Sequence, residues 1–201
     1  MLTRTCFIAS TTAALVTVAS PKPSLSPKPS PSPTPFPWDM CDNNPVLPYD
    51  KPLGLHMRVL DGADFDLIKY RGYAVVLNIF ATWCGPCAAE MPSMVDAAAK
   101  YHDKGLRIVG IDFNESDDTV RAYRKKYSIG FPVAMDEHGE FTYSLERGIK
   151  DVDIEFPVSL YISPDGYLYC YNRGSTKSPA AELAYRFEKF LRDEPPTRTK
   201  D

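Results

Sequence analysis

The sequence predicts an α/β domain built on a mixed sheet with helices on both faces. Three observations predict it. Tyr73 to Phe80 (YAVVLNIF) and Leu106 to Phe113 (LRIVGIDF) are nearly continuous apolar runs, as expected of strands buried on both faces. Each leads into a predicted helix, the second with apolar residues at helical spacing. The chain then closes with a hairpin pattern and an amphipathic helix. Its 201 residues leave room for one ordinary domain with a real core. Hydrophobic residues at 44% and charged residues at 24% are those of a soluble globular protein, and a net charge of −3 argues against a general nucleic-acid binder.

The N-terminal segment is unlike the rest. Arg4 is the only charge in residues 1–20, Cys6 to Ala19 is mildly apolar, and Thr17-Val18-Ala19 supplies small residues at a cleavage position. These features read as a secretory signal or an uncleaved N-terminal anchor. No lipobox-like run precedes Cys6, so no lipid anchor is predicted. Residues 21–45 form the second segment, and its core, PKPSLSPKPSPSPTPFP, is proline at almost every second position. Such a run stays extended and solvated, reaching roughly 50 Å at about 3.1 Å per residue. A proline-rich stalk therefore precedes a folded domain over residues 46–194, with a flexible tail at 195–201.

Within the domain, LHMRVLDGADFDLI (residues 55–68) carries two short alternating runs around Asp61-Gly62, a hairpin signal. After the first buried strand, a helix is predicted from Cys84 to about Lys100, with Pro86 tolerated in its first turn and Pro92 kinking it. Beyond the second strand, Ser116 or Asp117 caps a helix whose Val120, Tyr123 and Tyr127 share one face. Phe131 to Met135 reads as a short strand, and Phe141 to Arg147 as a short helix closed by Gly148. Phe156 to Ile162, the turn Ser163-Pro164-Asp165-Gly166 and Tyr167 to Tyr171 form the terminal hairpin. Ser178-Pro179 opens the last helix, with Leu183, Phe187, Phe190 and Leu191 on one stripe.

The chemistry is concentrated in ATWCGPCAAEMP, residues 81–92. A cysteine at a helix start lies beside unpaired backbone N–H groups and the positive end of the helix dipole. The dipole contributes about 0.3–2 kcal/mol, so by itself it lowers a thiol pKa by about one unit; local N–H donation supplies any more. Cysteines so placed commonly ionise well below the usual thiol range. Cys84 is therefore expected to be an exposed nucleophile. Cys87, one turn on, can attack a mixed disulfide and release product. Gly85 keeps the turn open and Pro86 fixes φ. Structural zinc needs four ligands, and neither a second close cysteine pair nor a histidine cluster is present: His56, His102 and His138 are scattered. Two inert core thiols fit poorly at a strand-to-helix junction.

These residues resemble the thioredoxin superfamily, and more narrowly the exported thiol–disulfide oxidoreductases of the TlpA/ResA type, including those of cytochrome c maturation. The resemblance covers about residues 50 to 192, anchored on the strand-then-WCGPC junction, Pro92 and Pro157 in EFPVSLYISPDG. It implies a thioredoxin-like fold with an N-terminal hairpin and a central helix–strand insertion between Leu106 and Glu155. It implies a cis Phe156-Pro157 bond facing the cysteines, where a proline leaves neighbouring backbone groups free to pair with a substrate strand. Asn78 stands where cytoplasmic thioredoxins carry a buried aspartate. Glu90 stands where the TlpA/ResA pattern has its glutamate; buried, it would hold a proton more readily and exchange it with Cys87, and the alternative is a solvated helix residue. Trp83, Gly85, Pro86, Phe156 and Pro157 would bind substrate. Phe156 departs from the smaller residue usual before this proline, and its bulk would narrow access or favour apolar partners.

The function implied is reduction of disulfides in exported proteins, for example apocytochrome c, by Cys84 attack and Cys87 resolution. A membrane thiol reductant would supply electrons to a periplasmic or otherwise extracytoplasmic monomer. No small cofactor is needed beyond the redox-active Cys84–Cys87 pair. An oxidase or isomerase on the same fold, and a tethered redox-sensing binding module, are the alternatives. A peroxidase is weaker, because the chain lacks a Pro-x-x-x-Thr-x-x-Cys pattern. Cys41 and Cys170 remain, either as a structural disulfide tying the N-terminal segment to the sheet or as two separate thiols.

Overall fold

The computed structural model describes residues 51–148, 155–174 and 179–192. The predicted signal, stalk, C-terminal tail and Cys41 lie outside those residues.

The two apolar runs are strands at the middle of a five-stranded sheet. Strand β3 (Ala74–Phe80) is buried at every position and pairs in parallel with β4 (Leu106–Phe113). The 55–68 segment forms the predicted hairpin, but its strands are only β1 (His56–Met57) and β2 (Phe65–Asp66). They form a separate two-stranded sheet. The reason is local: Asp66 caps a 3-10 turn over Leu67–Tyr70 by accepting from the Ile68 N–H, which ends the ladder. Strand β5 (Val133–Asp136) lies parallel to β4 at one edge, shifted from the predicted Phe131 start. Strand β6 (Val158–Ile162) runs antiparallel to β3, and β7 (Leu168–Arg173) antiparallel to β6. The order is β5-β4-β3-β6-β7. The sheet is mixed, as predicted.

Period-two alternation sends the strand side chains into two apolar layers. Val76 and Phe80 of β3 and Ile108 of β4 face helix α1 (Gly85–Tyr101), α2 (Asp117–Tyr127) and α4 (Pro179–Arg192). Val75, Leu77, Ile79, Val109 and Ile111 face the hairpin and α3 (Glu140–Gly148). Phe187 and Phe190 bury the predicted stripe of α4 beside Tyr161; the Leu183 side chain lies outside the described set. Ser116 caps α2 by accepting from the Thr119 N–H. Gly148 falls inside α3 rather than closing it. Between β4 and β6 the chain adds α2, β5 and α3, the helix–strand insertion that the resemblance implied. Helix α1 continues unbroken through Pro92. At the hairpin, Arg58 bridges Asp117 and Glu137 while Asp61 pairs with Arg121 and Arg124, tying that segment to α2.

Gly110 marks the tightest point under this layer. A Cβ there would stand 3.0 Å from a Phe80 ring carbon and 3.3 Å from Phe131. Gly110→Ala is expected to destabilise the domain by about 1–3 kcal/mol through overpacking, read as a lower urea midpoint with an unchanged slope.

Candidate active site

Strand β3 ends at Phe80 and α1 begins at Gly85, and the four residues between them end in Cys84, with Cys87 in the first turn of α1. The Cys84 N–H donates to the Ala81 carbonyl at 3.1 Å, closing a tight turn around Thr82 and Trp83. Cys84 is the N-cap of α1, and its Sγ accepts the Cys87 N–H at 3.1 Å. The sulfur thus takes the place usually filled by a serine or aspartate oxygen at a helix start. Pro86 falls in the first turn, where its missing N–H costs nothing. Gly85 has no atom near its Cβ position, so it leaves the surface beside Cys84 uncovered. Cys84 and Cys87 are joined in a disulfide, with Cα atoms 5.3 Å apart.

One expectation needs correction. Cys84 is not exposed: its residual accessibility is 6%, against 2% for Cys87. The capping geometry is the reason, because it folds Sγ back over the first helical turn instead of outward. The exposed group is Trp83, at 67%, whose ring meets Phe156 edge-on at 5.8 Å. Phe156 in turn meets Phe113 at 5.1 Å, and Phe113 meets Tyr143 at 5.5 Å. The large residue before the proline is therefore one link in an aromatic chain leading away from Trp83. The Phe156–Pro157 bond is cis, as the resemblance implied.

Glu90 lies one turn past Cys87 and is 5% exposed, which rules out the solvated reading. Asn78 reaches it from β3: its Nδ2 donates to Ser159 Oγ at 3.1 Å and stands 3.5 Å from Glu90 Oε1. An amide thus occupies the polar gap in an otherwise apolar face of β3.

A second polar group beneath the turn was missed by sequence reasoning. Glu115 accepts from the Thr82 N–H at 2.5 Å and from Thr82 Oγ1 at 2.6 Å. Its own N–H donates to Asp112 Oδ2 at 3.1 Å. Asp112 is 0% exposed, and burial pushes its carboxyl up to about 8, with help from the Glu115 carboxyl and then the charge of Asp136. The Tyr123 phenol, also buried, is pushed up by burial and then by the charges of Tyr127, Glu115 and Glu90. A signal was present: Asp112 is a carboxylate inside the apolar run LRIVGIDF.

Cys170 is disulfide-bonded and buried on β7, two strands from β3. It takes no part in the site. No group of three or more His, Cys, Asp or Glu side chains among the described residues could hold a metal ion.

Residues 53–169, more than half of the chain, match the AhpC/TSA family model. The chain belongs to the AhpC/TSA family. Among its curated relatives is the thiol–disulfide oxidoreductase ResA of Bacillus thuringiensis subsp. konkukian, 38% identical over 109 residues. That match covers 53% of this chain and 58% of the relative. Among solved structures, a thiol:disulfide interchange protein of the thioredoxin family from Chlorobium tepidum superposes with a TM-score of 0.62 at 28% identity. It covers 75% of this chain and 99% of its own. StoA from Bacillus subtilis superposes with a TM-score of 0.55 at 20% identity, over 68% of this chain and 98% of its own. The fold is thioredoxin-like.

The Asp112 carboxyl holds its proton to about pH 8 when folded, whereas an unfolded aspartate loses it near the ordinary 3.8. The folded state therefore binds more protons between those values, and stability falls as pH rises through that window, by up to about 1.4 kcal/mol per pH unit. Asp112→Asn removes this titration. Its Tm is expected to exceed that of the wild type increasingly between pH 5 and 9, read by thermal melts at each pH; parallel Tm profiles would contradict the assignment.

Proposed function

We propose that this AhpC/TSA-family chain is a thiol–disulfide oxidoreductase that reduces disulfides in exported proteins, apocytochrome c among them. The observation that carries the reading is the Cys84–Cys87 disulfide at the start of α1, with the Cys87 N–H directed at Cys84 Sγ. In the reduced protein the same donor, with the helix dipole, favours the Cys84 thiolate. That thiolate attacks one sulfur of the client disulfide, forming a mixed disulfide and expelling a client thiolate, which takes up a proton. Cys87 then loses its proton and attacks Cys84 Sγ. The internal disulfide reforms, the second client thiol leaves, and two electrons have passed to the client. A membrane thiol donor restores the dithiol. No small cofactor takes part.

Glu90 would handle the Cys87 proton, a reading supported by its burial one turn away on the same helix. Trp83, Gly85, Pro86, Phe156 and Pro157 form the substrate rim. The contact between Trp83 and Phe156 supports this, as does the open surface at Gly85. The low accessibility of Cys84 in the disulfide means that a client or reductant must reach it across this rim. Residues 1–20 would direct export or anchor the chain, and residues 21–45 would hold the monomeric domain away from the membrane. No described helix is long and apolar enough to cross a membrane. Cys170 is disulfide-bonded, and Cys41, the cysteine just ahead of the domain, is our assignment for its partner.

Reduction of insulin by dithiothreitol tests the reading. Wild type is expected to accelerate it and Cys84→Ser to abolish the acceleration; equal rates would leave a binding module. Equilibration with glutathione fixes the direction: a strongly oxidising couple would make the protein an oxidase. Glu90→Gln is expected to slow exchange near pH 7 on the order of 100-fold while leaving the fold intact, by stopped-flow Trp83 fluorescence. Unchanged rates from pH 6 to 9 would remove Glu90 from the mechanism.

A further inference from the structure

The mechanism above uses Cys84, Cys87 and Glu90, yet two more carboxyls are built into the support of the same turn. Asp112 lies on the α1 face of β4, in register with Phe80 at the end of β3. Its Oδ2 receives the Glu115 N–H, whereas its Oδ1 is buried and has no hydrogen-bond donor among the described residues. Its neighbour is the carboxyl of Glu115. Two carboxyl groups can hydrogen-bond only when one of them keeps a proton. Glu115 already accepts both hydrogen bonds from Thr82, so the proton belongs on Asp112, donated toward Glu115. Glu115, half-buried, is then the member of the pair that grips the turn carrying Cys84.

We propose that Asp112 and Glu115 hold one shared proton beneath the Thr82 turn and that this proton is linked to the redox and ionisation state of Cys84, which makes Asp112 a positioning residue for the exchange reaction. The inference rests on the thiol–disulfide reading above. The groups around the pair are acidic or phenolic. Asp136 reaches it from β5, with its carboxylate engaged by the Phe141 N–H and by the N–H and Oγ1 of Thr142. Tyr123 and Tyr127 come from α2, and Glu90 from α1. Tyr123 is close enough to Glu90 and Glu115 for both charges to act on its phenol, so it stands between the acids under Cys84 and Cys87.

The sign follows from electrostatics. The disulfide is neutral, whereas the reduced site carries a thiolate. A negative charge at Cys84 makes it harder for Asp112 to lose its proton, and an ionised Asp112 makes it harder to form the thiolate. At neutral pH the pair carries one charge and Cys84 ionises against Glu115 alone. Above the Asp112 midpoint the pair carries two, and the thiolate is disfavoured.

The test follows the Asp112 carboxyl carbon by NMR in the isotopically labelled wild-type chain, from pH 5 to 10, in the disulfide and dithiol states. The expected result is a higher midpoint in the dithiol state. Identical midpoints would overturn the proposal, whatever any variant does. In parallel, the rate of Cys84 alkylation by iodoacetamide is measured against pH for the reduced wild type and for Asp112→Asn. Wild type is expected to show a second inflection in the alkaline range that the variant loses; superimposed profiles would overturn the linkage. The insulin assay reports separately on the parent reading, since Cys84→Ser fails there whether or not Asp112 is coupled.

Discussion

The working parts of the site depend on one constraint, the change from strand to helix within four residues after Phe80. A strand buried on both faces can end there only if its last polar groups are satisfied and the next helix starts at once. The chain meets that demand with a sulfur. By capping α1, Cys84 satisfies the Cys87 N–H and places its own sulfur against the helix dipole, so in the proposed reaction the bond that starts the helix would also favour the thiolate. Cys87 follows one turn later because the helical repeat brings it back to the same side.

Behind this junction the protein tolerates an unusual density of buried polar groups. Asn78, Glu90, Asp112 and Ser159 are all buried, on strands β3, β4 and β6 and on α1. A layer meant only for stability would carry apolar side chains at such positions, because an ionised carboxyl without a partner is costly to bury. Here the cost is reduced by side-chain amides, hydroxyls and, at Asp112, by keeping the proton. A buried acid such as Asp112, pushed up to about 8, is suited to chemistry that moves protons together with electrons.

The outer rim is built differently. Trp83, Phe156, Phe113 and Tyr143 meet ring to ring across the mouth of the site, and Gly139 permits the approach, since a Cβ there would overlap the Phe113 and Tyr143 rings. Rings in edge contact hold one another in place at little entropic cost. The bulk of Phe156 thus serves two neighbours at once: it supports Trp83 outside and packs against Phe113 behind.

Much of this was legible in the linear chain. The apolar runs set β3 and β4 because only strands buried on both faces need to be apolar throughout. Ser116, Pro86 and the Cys84–Cys87 spacing followed from capping and helical repeat, which are local rules. The place of Glu90 came from resemblance, and its burial from the structure. What the tertiary structure decided is which distant residues meet. Glu115 reaches Thr82 because β3 and β4 end side by side; Phe156 reaches Trp83 because β6 is the other neighbour of β3. Those registers arise from the whole sheet closing on its core, and no local pattern encodes them. Periodicity can say that a residue is buried, but only the fold says which charge or ring it is buried against.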